Sequence, residues 1–209
     1  MGRTLTAVAT VAAAVGILAL AACTPTTEAS PTPIPYSPPA ILGETVSDSP
    51  LEAEAVVIAA RAGLLGLVLA KNAADFSIQP FTSTFSVPEQ DDAYDNWILD
   101  SIDAGLPHTP LPGPPVLFPL SIDVAGETTV VTFCEARGYW ENEDPATLIT
   151  GREAKVSVVR LDGKLQVVSR SGGGEACDAT GAPIARFDPA PEPLGMITEG
   201  DVVPPPTEE

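Results

Sequence analysis

The chain has 209 residues, with 28 acidic against 10 basic side chains and a formal net charge of −18. So acidic a surface argues against nucleic acid and anionic lipid surfaces as partners, since both carry the same sign. One histidine and three cysteines give no zinc-ligand spacing, no Asp-x-Asp-x-Asp-Gly calcium loop occurs, and the sequence implies no cofactor.

Residues 1–22 have the parts of an export signal: a basic start at Arg3, an apolar middle, and small residues at the end. The run is short for a spanning helix, which needs about 20 apolar residues. Leu20-Ala21-Ala22-Cys23 resembles a bacterial lipobox. That resemblance implies cleavage after Ala22, a diacylglycerol on the Cys23 sulfur and further acylation, such as palmitate, at the new amino terminus. Two or more chains hold a protein on a bilayer where one does not, because each buried methylene contributes about 0.8 kcal/mol. The expected location is the extracytoplasmic face of the cell membrane. A plain signal peptide with a chance cysteine is the alternative. Removing residues 1–22 takes away one charge, Arg3, so the net charge moves from −18 to −19.

With Cys23 as lipid carrier, Cys134 and Cys177 remain as an even pair in an exported chain. They read as a disulfide, with two free buried thiols as the alternative. Residues 23–49 are rich in proline and threonine and read as a tether.

Ser49-Pro50-Leu51-Glu52 has the pattern of a capping box with proline at the first helical position. A helix follows through Leu51, Ala55, Ile58, Ala62, Leu65 and Leu69, with an apolar stripe wide enough to be buried. Arg61, Gly63 and Gly66 argue against a membrane span. After a loop through Gln79-Pro80, a second helix is expected from Pro88 to Ala104. Tyr94, Trp97, Ile98 and Ile102 lie on one face of it, and Asp91, Asp92, Asp95, Asp100 and Asp103 form a solvated remainder. Gly105 ends it, and 106–115 is a proline-rich crossing.

From residue 116 the period becomes two, with Val116, Phe118, Leu120, Ile122 and Val124 alternating with Leu117, Pro119, Ser121 and Asp123. Pro119 lacks a backbone donor, so this strand is expected at an edge or with a bulge. Further strands are expected over 128–136, 152–161 and 164–171, with an excursion over 138–151. Asp162-Gly163 predicts a type I′ hairpin that sets Val158 opposite Val167 and Arg160 opposite Leu165. Gly172-Gly173-Gly174 reads as a flexible turn, since acidic residues follow where a phosphate loop needs a helix. Residues 179–209 are acidic and proline-rich and are expected to be a mobile tail.

Helices followed by antiparallel strands predict an α+β domain over 50–178, two helices packed on a curved sheet of about four strands. The arrangement resembles a nuclear-transport-factor-2-like cone. More narrowly, the chain resembles actinobacterial cell-envelope lipoproteins of uncharacterised function with that fold. The likeness rests on the lipobox, on 129–134 and on 158–167 leading to Cys177; it departs from the pattern at Ala136 and Leu165. The resemblance implies no activity.

An acid or base in such a cone would come from His108, Asp123, Tyr94 or Tyr139. His108, among prolines in a crossing loop, and Asp123, near a hairpin turn, have structural alternatives, and Gly-x-Ser-x-Gly is absent. The chain therefore reads as non-enzymatic, with an isomerase-type enzyme as the less favoured alternative. Two classes remain. One is an interaction or assembly module engaging another envelope protein. The other is a module holding an apolar small molecule or lipid in a pocket bounded by Trp97, Phe118, Phe133 and Trp140.

Overall fold

In the computed structural model, which describes residues 36–136 and 150–207, the helix expected from residue 50 is divided in two. A 3₁₀ turn spans Pro50–Ala53, extended backbone at Glu54 interrupts it, and α1 runs over Ala55–Ala73. The capping box is half formed. Ser49 accepts from the Leu51 amide at 3.4 Å, but Glu52 instead takes the amide and hydroxyl of Ser47 and the guanidinium of Arg61. Cys23, the proposed tether as far as residue 35, and Tyr139 and Trp140 of the excursion lie outside the described residues.

By length and composition α1 could cross a membrane. In this fold it is instead the central core helix. Its deepest line is Val57, Ala60, Gly63, Leu67 and Ala70 rather than the stripe through Ile58, which is 56% exposed. Small residues decide the face. A methyl group on Gly63 would meet Val167 Cγ2 at 2.6 Å, and one on Gly66 would overlap the Pro80 carbonyl. Helix and neighbours therefore approach more closely than large side chains permit.

The loop after α1 holds the centre of the core. Phe76, Ile78, Phe81 and Phe85 are buried there, around a single turn of helix, α2, over Gln79–Thr82. Phe76 packs edge-on against Phe81 (5.4 Å between centroids) and Tyr94 (5.5 Å), and tilted against Trp97 (5.4 Å). Helix α3, Val87–Trp97, continues as a π-helical segment over Ile98–Asp103, and Gly105 at φ +67° ends it. Asp91, Asp92, Asp95, Asp100 and Asp103 are all exposed, so this face is solvated.

Four strands form an antiparallel meander: β2 Leu117–Ala125, β3 Thr128–Ala136, β4 Thr150–Leu161 and β5 Lys164–Ser171. A fifth, β6 Ala176–Asp178, pairs with the start of β4. The fold is thus α+β with a five-stranded antiparallel sheet. Asp162 and Gly163 both have positive φ, and Val158 faces Val167 and Arg160 faces Leu165 across that hairpin. Strand β2 lies at the edge and is bulged between Pro119 and Ser121.

That bulge corrects the single-faced reading of β2. The extra residue, Leu120, reverses the alternation. Leu117, and then Ile122 beyond the bulge, belong to the helix-side core, whereas Val116 and Phe118 join the opposite face. Val124, expected inside, is 75% exposed. On the opposite face Cys134 and Cys177 are joined by the expected disulfide, with Cα atoms 5.8 Å apart. It pins a small second core of Val116, Cys134, Ala136 and Ala179.

The domain limits also need correction at both ends. Ala40–Gly43 (β1) pairs with Ala185–Asp188 (β7), so the proposed tether and the proposed tail meet in a ladder. Phe187 and Val202 are buried in the main core. The Phe76 amide donates to the Val203 carbonyl at 2.8 Å, and the Val203 amide donates to the Ala74 carbonyl at 3.0 Å. The tail is a docked strap. Its prolines favour extended backbone, which suits pairing with groups left open at the end of α1.

Candidate functional site

A cleft of about 390 Å³ opens where the last turn of α1, the π-helical segment, the 106–111 crossing and the strap converge. Trp97, Ile102, Leu106, Leu111 and Ile197 give it apolar walls, and Lys71, Asn72, Ser101, His108 and Thr109 contribute polar groups.

Most of that polarity is already spent. Asn72 grips the crossing with both ends of its amide, Nδ2 donating to the Leu111 carbonyl at 2.9 Å and Oδ1 accepting from the Leu111 amide at 2.8 Å. His108 is buried with its ring edge-on to Trp97, centroids 6.2 Å apart. Its Nδ1 accepts from the Leu194 amide at 3.2 Å, so the proton sits on Nε2, which donates to the Lys71 carbonyl at 3.0 Å. Both ring nitrogens are committed, and His108 is a structural clasp. The Thr109 hydroxyl donates to the Pro107 carbonyl at 3.3 Å.

Lys71 differs. Burial lowers its pKa to about 8 from an ordinary 10.5; Arg170 adds to the shift, and Asp100 and Glu135 oppose it. Among the described residues its ammonium has no ion-pair partner within 4 Å.

A second cleft of about 410 Å³ lies beside the first and shares Asn72 with it. Tyr36, Pro39, Leu69, Pro189, Pro191 and Leu194 line it. Burial, and then Asp75, raise the Tyr36 phenol above its usual range.

The described residues expected around one pocket, Trp97, Phe118 and Phe133, do not line a common cleft. Trp97 borders the first cleft. Phe133 is fully buried in the main core beneath the Arg61 guanidinium, 5.6 Å from the ring centroid. Phe118 packs on the opposite face with Cys134, because the bulge turned it there. Of the acid–base candidates, Asp123 is exposed on the edge strand with the Ser121 hydroxyl donating to it at 3.0 Å, and Tyr94 belongs to the Phe76 cluster. Burial, and then Glu199 and Asp95, raise the Tyr94 phenol.

Sequence reasoning missed Lys71, Asn72 and the strap residues. A lysine closing an otherwise apolar helix is an ordinary favourable charge at a helix C-terminus. Only the docked strap turns that end into a cleft. Among the described residues no group of three or more His, Cys, Asp or Glu is placed to hold a metal ion.

Comparison with protein-family models, with curated proteins and with solved structures finds no match to the chain.

Proposed function

We propose that the chain is an extracytoplasmic lipoprotein, held on the bacterial cell membrane by acyl chains at Cys23, whose domain binds rather than catalyses. The observation that supports this reading is the use of His108. A general acid or base must be free to exchange a proton with a reactant. Both His108 nitrogens instead hold the strap and the end of α1 together.

Of the two occupants that composition and pattern suggest, the cleft favours a small molecule. Its volume of about 390 Å³ lies within the usual roughly 300–1,000 Å³ of small-molecule sites. The reading keeps a cone-like, nuclear-transport-factor-2-like cupping of helices over the sheet, but with the ligand on the flank, since Phe133 fills the interior. The envelope-protein reading draws on a different observation: Leu106, Leu194 and Met196 are exposed on the crossing and the strap, at or near the rim.

Native mass spectrometry of the full chain, purified from membranes of cells that process it, tests both readings. The expected species lacks residues 1–22, carries lipid on Cys23, and releases a small molecule on denaturation. A bare Cys23 contradicts the anchor. A stoichiometric protein partner with no small-molecule adduct favours the assembly reading instead.

A further inference from the structure

We propose that the cleft beside Trp97 binds a small carboxylate with an apolar body, of the medium-chain fatty-acid kind, with the Lys71 ammonium as its counter-charge. This rests on the binding reading above and names the class of ligand.

Two features of one place carry it. The walls at Trp97, Ile102, Leu106, Leu111 and Ile197 offer apolar area to a ligand body. Lys71 lines the same cleft, half-buried, and no carboxylate of the described residues lies within 4 Å of its ammonium. A desolvated charge without a partner is costly, and the cost is relieved by an opposite charge brought in from outside. The lowered pKa of Lys71, to about 8, reports the same desolvation.

Other ligand classes use only half of the cleft. An inorganic anion answers Lys71 and leaves the Trp97 wall wet, while a neutral lipid covers the wall and leaves the ammonium unpaired. The chain's net charge of −18 does not veto an anion. Exposed charges are screened beyond about 8 Å at physiological salt, whereas a partly buried pair is screened far less.

Replacing Trp140 by phenylalanine in the full chain leaves Trp97 as the single tryptophan, so its emission reports the cleft. Decanoate is expected to shift that emission saturably, and decanol to bind about tenfold more weakly for want of the charge-assisted contact. Lys71→Met should bring decanoate down to the level of decanol while leaving decanol unchanged. Lys71→Arg should retain the preference. Equal affinity for decanoate and decanol, or a preference that survives Lys71→Met, overturns the carboxylate proposal but leaves a binding cleft. Failure of both probes to bind overturns the cleft reading as well. A Lys71→Met protein that unfolds at no lower temperature than wild type separates loss of charge from loss of fold.

Discussion

The Leu194 amide donates to His108 Nδ1 at 3.2 Å across 86 residues of sequence. That contact ties the strap to the crossing, and the crossing to α1 through the Lys71 carbonyl. The cleft lies where these segments converge.

If the strap is part of the folded domain, the Phe187 and Val203 amides should be protected from hydrogen exchange together with core amides such as Val167. Phe187→Ala should cost about 3–5 kcal/mol, as for a fully buried aromatic. His108→Leu should cost about 2 kcal/mol, because it leaves the Leu194 amide without a partner and takes one of two donors from the Lys71 carbonyl, which keeps the Ala74 amide. Urea unfolding measures both. Exchange at Phe187 as fast as in an unfolded chain would mean a free tail.

Glu52 and Arg61 make a forked pair beneath the edge strand, and Arg61 Nη2 also donates to the Leu117 carbonyl at 2.8 Å. Glu52→Gln should cost about 3 kcal/mol at neutral pH, since it strands a largely buried guanidinium. Burial alone would raise the Glu52 pKa, but hydrogen bonds from Arg61 and Ser47 outweigh it and hold the carboxyl below its ordinary 4.5. The unfolded chain therefore takes up the proton first as pH falls. The stabilisation is complete above about 4.5 and lost as pH drops through the lower folded value. Stability of wild type and Glu52→Gln should converge in acid; a constant difference down to pH 2 would contradict the assignment.

The bond between Cys134 and Cys177 closes 43 residues, which chain-entropy reasoning values at about 4 kcal/mol. Replacing both cysteines by alanine should lower unfolding stability by about that amount and loosen the second core around Val116 and Ala179. Alkylation of two thiols in the unreduced protein would disprove the link.

Lys71 adds a second pH dependence, of the same sign but in the alkaline range. Its folded pKa of about 8 lies below the ordinary 10.5, so between those values the unfolded chain holds more protons and folding stability rises with pH. Lys71→Met should be more stable than wild type at pH 7, by no more than about 3 kcal/mol. The gap should narrow as pH rises through 8 towards 10. Arg170, Asp100 and Glu135 are the charged groups that act on Lys71. Subtracting the two proteins cancels the tyrosines. A gap that stays constant, or the reverse sign at pH 7, counts against an unpaired ammonium.

Much of the sheet was legible because its signals are local. Asp162-Gly163 specifies a turn by its φ requirements, and Pro119 announces an edge or a bulge by lacking a donor. The consequence of the bulge was not legible: one added residue at Leu120 sends Phe118 away from the core. In α1, hydrophobicity pointed to Ile58 while the contact face runs through glycines, whose value appears only against Val167 and Pro80. The Phe76, Phe81 and Phe85 cluster lay in a segment read as loop, although three phenylalanines at that spacing signal burial. The strap was hardest. Proline-rich composition describes an extended chain equally well in water or docked, and the partners that dock it are about 75 to 150 residues away.

The most direct test is a ¹⁵N NMR titration of the full chain with decanoate. The Trp97 indole Nε1–H and the Lys71 and Leu106 amides should shift together and saturate, with Val124, on the edge strand, unmoved. Shifts confined to other surfaces, or none at Trp97 at saturating decanoate, would contradict the site.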